Sequence, residues 1–135
     1  MNERFKERLV RLMGEKQVDA MMIAPSEELR FLAGFNVYQD ERFQALFLTA
    51  KGGTFYICNI LSRDEVVEGL GEPIPVHTWT DNEDFAAVAG DVLEEYGLLG
   101  GTVGVNSTVR AFNLIPVAER TGIRFVNGKE WLEEI

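Results

Sequence analysis

Between Val18 and Arg42 the chain runs from an apolar stretch through a proline to a short apolar helix, then a polar loop, then a second apolar strand opening at Arg42. Ala20 to Ala24 is long enough for one buried strand, and Pro25 ends it because it supplies no N–H to continue a ladder. Ser26 is placed to cap a helix whose apolar residues Leu29, Phe31, Leu32 and Phe35 are expected to face inward. A strand, turn, helix, loop and strand in this order restrict the chain to an α/β architecture.

The 135 residues suit a single domain, a size that buries about 68% of the surface exposed by the unfolded chain. With 46% hydrophobic and 26% charged residues the whole chain is expected to be ordered. The formal charge of −9 repels phosphate backbones and anionic bilayers, so neither nucleic acid nor a membrane surface is an expected partner. Residues 1 to 16 carry a local +2 and leave −11 on the remainder, which a solvated helix face explains better than a binding arm. One cysteine forms no internal disulfide, the first residues lack the apolar core of a secretory signal, and no apolar run approaches the roughly 20 residues of a membrane span. A cytoplasmic location is therefore expected.

Elsewhere the periodicity is clear. Phe5, Leu9, Leu12 and Met13 make one stripe of a helix over 2–16. Residues 42–50 and 54–60 read as strands joined by Lys51-Gly52-Gly53, an antiparallel hairpin. Ser62 and Glu65 have the spacing of a capping box for a helix ending at Gly69 or Gly71. A short strand near Trp79 follows, then a helix with Phe85, Val88, Ala89, Val92, Leu93 and Tyr96 on one face, stopped by Gly97. Thr102 to Val105 is a strand. Ser107 is expected to cap a helix burying Val109, Phe112 and Ile115, which Pro116 should kink or divide. A strand from Ile123 to Val126 and a short helix around Trp131 complete the order α-β-α-β-β-α-β-α-β-α-β-α. That alternation predicts a largely parallel sheet covered on both faces, with one antiparallel hairpin.

Local chemistry is sparse. His77 has no second His or Cys at ligand spacing and reads as structural. Cys58 lies within a strand and reads as a small core residue, which makes a thiol enzyme the weakest functional reading. Gly97, Gly100, Gly101 and Gly104 follow a helix and precede a strand, the reverse of a nucleotide-binding fingerprint. Asp81, Glu83 and Asp84 suit a helix N-terminus rather than a calcium loop.

Five segments, in order, resemble the N-terminal domain of the creatinase, prolidase and aminopeptidase P family. They are Arg8-Leu9-Val10-Arg11-Leu12-Met13; Val18-Asp19-Ala20 through Pro25; Arg30-Phe31-Leu32-Ala33-Gly34-Phe35, close to the family's Tyr-Leu-Thr-Gly-Phe; the strand from Arg42 with its Gly52-Gly53 turn; and Trp79-Thr80-Asp81-Asn82-Glu83-Asp84 leading to a helix, a Gly-Leu ending and Val103-Gly104-Val105. The resemblance covers essentially the whole chain. It implies a three-layer α/β/α sandwich with a mixed, mostly parallel sheet of about six strands and a ribonuclease H-like motif, occupying residues 1–135 as one domain.

It also implies that the pita-bread metallopeptidase domain lies elsewhere, following residue 135. In that domain two Asp, one His and two Glu hold two divalent ions of the Mn, Co or Zn type, which lower the pKa of a bridging water and polarise the carbonyl preceding proline. No catalytic or metal-binding residue carries over to this chain, and no cofactor is expected in it. The role implied is noncatalytic: pairing of subunits as a homodimer and restriction of substrate access to short proline-containing peptides.

Within that frame the loop from Asn36 to Arg42 is the candidate substrate-access segment, with Tyr38, Asp40, Glu41 and Arg42 as its residues. Arg42 is placed to pair with Asp40 or Glu41, or to meet a peptide carboxylate through a bidentate contact. Trp131, Leu132 and Ile135 are apolar on the last elements, where they either contact the following catalytic domain or, for Trp131, cover this domain's own sheet. The alternative from another class is a free-standing α/β ligand-binding or signalling module without peptidase activity. The residues that separate a prolidase from an aminopeptidase P, a creatinase or an inactive relative belong to the other domain.

Overall fold

The computed structural model describes residues 1–35 and 37–135, so Asn36 of the predicted access loop lies outside the described residues. Six strands form one sheet: β1 (Ala20–Ile23), β2 (Ala45–Thr49), β3 (Thr54–Asn59), β4 (Val76–Trp79), β5 (Thr102–Val105) and β6 (Arg124–Asn127), in the spatial order β4-β3-β2-β1-β5-β6. The helices are α1 (Glu3–Lys16), α2 (Glu27–Ala33), α3 (Arg63–Leu70), α4 (Phe85–Glu95), α5 (Ala111–Thr121) and α6 (Lys129–Glu134). Element order and number match the periodicity of the chain.

Strand β2 is antiparallel to both β1 and β3, while β1–β5, β3–β4 and β5–β6 are parallel. The expected hairpin is present, and a second antiparallel pairing accompanies it, because a strand that reverses inside the sheet opposes both neighbours. The turn depends on Gly52, whose φ of 90° is open to glycine, and on Thr49, whose carbonyl accepts from the Gly52 N–H at 2.9 Å.

Alternate residues of the central strands enter separate cores. Met21, Ile23, Leu46, Leu48, Tyr56 and Cys58 pack beneath α1, α2, α3 and α6, with Leu9, Leu29, Val66 and Leu132 among the contacts. Ala20, Met22, Ala45, Phe47, Phe55 and Ile57 pack beneath α4 and α5, with Ala89, Leu93 and Val117. Both faces are buried, which is why these strands read as continuous apolar runs rather than alternating ones. Connections that step one way along the sheet place helices on the first face, and those that step back, through α4 and α5, place them on the second. Crossovers of a single hand require that switch.

Local expectations fail at three points. Phe31 is 60% exposed, because it sits about 200° around α2 from Leu29, two residues at 3.6 per turn; it leans edge-on against Phe5 at a centroid distance of 5.0 Å. Ser62 forms no capping bond: the chain enters α3 through a 3₁₀ turn over Ile60–Ser62, so the Ser62 backbone is already helical, and the Asn59 side chain accepts from the Leu61 N–H instead. A cap needs extended backbone at that position. Finally, α5 begins at Ala111 and buries Asn113, Val117 and Thr121, leaving Phe112 and Ile115 each 55% exposed. Pro116 lies inside α5 without dividing it. The donor it lacks would serve the carbonyl of exposed Phe112, where water takes its place.

Candidate functional site at the carboxyl edge of the sheet

Because five strands share one direction, the loops after β1, β3, β4 and β5 gather at one edge together with the segment that enters the reversed β2. Doubly wound sheets bind ligands at this edge, in the crevice where the connections change direction. Here the change falls between β1 and β5.

That crevice is filled. Asn106, buried just past β5, accepts from the Ala24 N–H through Oδ1 at 3.0 Å, and its Nδ2 donates to the Ser26 and Thr108 hydroxyls at 3.0 and 2.9 Å. Beside it, the space bounded by Pro25, Gln39, Phe43, Arg110 and Asn113 is about 10 Å³, room for about one water. Gln39 closes the same side by donating from Nε2 to the Thr108 carbonyl at 2.7 Å. Asn106 was not recognised as important from its local sequence, since both partners that give it meaning, Ala24 and Ser26, lie more than 80 residues away.

Arg42 organises the neighbouring part of the edge. Its Nε and Nη2 donate to the two carboxylate oxygens of Asp81, both at 3.0 Å, and its Nη1 donates to Asp40 at 3.2 Å. Asp40 also accepts the Arg42 backbone N–H at 2.8 Å, and Asn59 donates to Asp81 at 2.9 Å. The hydrogen bonds from Arg42 hold the Asp81 carboxyl below the usual carboxylate range, and Asp81 in turn raises the Arg42 guanidinium. The expected Asp40 pairing is present. Glu41 makes no ion pair among the described residues, and Asp81 takes the bidentate position a peptide carboxylate would need.

Trp79 donates from its indole to the Phe43 carbonyl at 3.0 Å, which anchors the access loop to the end of β4. The hollow above this contact is about 400 Å³, lined by Glu41, Arg42, Trp79, Phe85 and Phe112 among others. Tyr38 is 82% exposed. The loop thus presents an aromatic side chain and unpaired Glu41 to its surroundings while Arg42 and Asp40 hold it in place.

His77 lies 2.9 Å from the Tyr96 hydroxyl and edge-on to Phe55, on the α4 side of the sheet. Cys58 faces the opposite core, and burial pushes its thiol up to about 12. The two therefore form no dyad. At the far end of the chain Trp131 lies over Gly104 and Gly128, where a Cβ on Gly104 would come within 2.7 Å of the indole. Leu132 is buried beneath α6, and Ile135 is partly buried with its carbonyl accepting from Arg8 at 3.2 Å.

Among the described residues no three His, Cys, Asp or Glu side chains converge as metal ligands. The carboxylates that come closest in purpose, Asp40 and Asp81, already share a guanidinium, so this donor set does not suit the two divalent ions the sequence resemblance implies. No helix among the described residues is long and apolar enough to cross a membrane.

The family model for the creatinase/prolidase N-terminal domain matches residues 6–135. The chain belongs to that family. Creatinase/prolidase N-terminal domains of known structure share its fold: that of an Xaa-Pro dipeptidase from Lactobacillus brevis superposes with a TM-score of 0.82 at 15% identity, over 98% of this chain and 99% of its own. One from an X-Pro dipeptidase of Streptococcus pyogenes gives 0.83 at 14% identity, with both chains fully covered. A dipeptidase from Pyrococcus horikoshii OT3 gives 0.83 at 25% identity over 96% of this chain, which spans only 35% of that protein. A search of curated protein sequences finds no match.

Proposed function

We propose that this creatinase/prolidase N-terminal domain is the noncatalytic part of a metal-dependent Xaa-Pro peptidase of the prolidase or aminopeptidase P kind, acting in the cytoplasm on short proline-containing peptides. The observation that carries the proposal is the proportion just given: the whole of this chain corresponds to about a third of a dipeptidase at 25% identity. The remaining chemistry, including two divalent ions of the Mn, Co or Zn type, falls to a following catalytic domain. This domain pairs subunits into a homodimer and borders the route by which peptides reach the metals. Its access loop, with Tyr38, Asp40, Glu41 and Arg42, restricts entry by shape and charge, and Trp131, Leu132 and Ile135 support the approach to the catalytic domain. The filled crevice beside Asn106 favours this reading over a free-standing ligand-binding module.

The test compares the 135-residue chain with one extended by the next domain of the reading frame, about 220 residues for a domain of ordinary size. With manganese or cobalt, the extended chain is expected to release proline from Xaa-Pro dipeptides and the short one is not. Hydrolysis by the short chain, or tight binding of two divalent ions to it, overturns the proposal. In the extended enzyme Arg42→Ala is expected to raise KM or shift the preference between dipeptides and tripeptides; unchanged kinetics on both rejects the access role.

A further inference from the structure

The face formed by α1, α2 and α6 is remote from the Arg42 edge and carries a trough. Its widest part is about 740 Å³, lined by Phe5, Phe31, Leu132 and Ile135 with Glu28 and Glu133 at the side. Two smaller hollows of about 240 and 370 Å³ continue it along α1, both bordered by Arg8 and Ile135. Phe31 stands at its wall, 60% exposed, supported edge-on by Phe5. An aromatic ring left this open at the rim of an apolar hollow has lost little water on folding and retains its area for an intermolecular contact.

The walls carry opposite charge. Arg4, Arg8 and Arg11 fall at i, i+4 and i+7 on α1 and form one side. Glu28 on α2 and Glu133 and Glu134 on α6 form the other. Some of this charge is answered internally: Arg8 donates to the Ile135 carbonyl, and Lys129 reaches Glu133 at 2.7 Å. Arg4, Arg11, Glu28 and Glu134 make no ion pair among the described residues.

We infer that this trough is the surface on which a second copy of the chain docks about a two-fold axis, each Phe31 entering the hollow of the other. The inference rests on the subunit pairing of the proposed function and names its surface. Two observations select a second copy over other occupants. A surface with a basic wall and an acidic wall is complementary to itself under a two-fold rotation, which sets each α1 stripe against the partner's Glu28 and Glu134. The chain as a whole carries −9, so two copies repel unless the contact uses their basic stripe, and α1 holds five of the 13 basic residues.

The experiment is sedimentation equilibrium of the 135-residue chain at micromolar to submillimolar concentration, at low and high salt. A monomer–dimer equilibrium that weakens as salt rises is expected. Phe31→Glu should weaken it by tenfold or more, as for an aromatic at the centre of an interface. Arg4→Glu/Arg11→Glu makes both walls acidic and Glu28→Arg/Glu134→Arg makes both basic. Each double variant alone should be monomeric, and an equimolar mixture should dimerise. All the altered side chains are exposed or half-exposed, so circular dichroism and thermal midpoints near those of the parent serve as the folding control. A chain monomeric throughout, a dimer indifferent to Phe31→Glu, or folded charge variants that fail to pair when mixed each overturn the inference. So does protection of Phe31 by a following domain in a monomeric extended chain. Activity of the extended enzyme is read separately, so the peptidase proposal stands or falls by its own assay.

Discussion

Arg42 shows how little of a residue's role is written beside it in the chain. Asp40, two positions earlier, was a visible partner; Asp81, 39 positions away, takes the stronger, two-pronged contact. The pair makes a pH prediction. Asp81 has a folded-state pKa below its unfolded value, so what the contact contributes is complete above the ordinary aspartate range, about 3.9, and is lost as pH falls through the lower folded value. Carbon-detected NMR titration of the Asp81 carboxyl should place its midpoint below about 3.9, and Arg42→Ala should move it upward. A midpoint in the ordinary range in the parent protein rejects the contact as drawn. Loop 37–44 is then expected to keep its position across the neutral range and to loosen only in strong acid.

At the scale of elements, two serines with similar sequence signals separate what a helix start needs. Ser26 has extended backbone and accepts the Leu29 N–H at 3.1 Å, whereas Ser62 is already turned into the helix and accepts nothing from it. Ser26→Ala is expected to cost about 1 kcal/mol, the usual worth of a cap, and Ser62→Ala to fall within about 0.5 kcal/mol of the parent, as for an uncommitted surface position. Urea denaturation of the two variants side by side decides it; equal losses contradict the assignment. The periodicity of α1 and α4 was legible because their apolar stripes are local facts, set by 3.6 residues per turn. In α5 the same reasoning selected Phe112 and Ile115, while the packed stripe is Asn113, Val117 and Thr121. The burial of Asn113 and Thr121 comes from where α5 rests against α4 and the sheet, and a polar residue at such a position carries no apolar signal to read. Thr121 meets its needs by donating to the Val117 carbonyl at 2.7 Å.

At the scale of the whole molecule, Cys58 reports on cooperativity. It sits in β3 inside the first core, wholly buried, with its thiol pushed up to about 12 by desolvation. Thiolate is the reactive form, so alkylation at neutral pH is expected to proceed only through opening of the sheet, at a rate that follows global stability in denaturant. Rapid labelling under native conditions contradicts this burial. Several properties follow from the chain read residue by residue: the six strands and six helices in their order, the Gly52 turn, the capping by Ser26 and the family to which the segments correspond. Each depends on neighbours within a few positions, where backbone geometry and hydrophobic period leave their mark. The strand order, the second antiparallel pairing of β2, the plug made by Asn106, the Arg42–Asp81 contact and the two-signed trough beside Phe31 were decided only when the chain closed on itself. They join groups tens of residues apart, and the cost of bringing such groups together grows so slowly with separation that sequence distance does not select the partner.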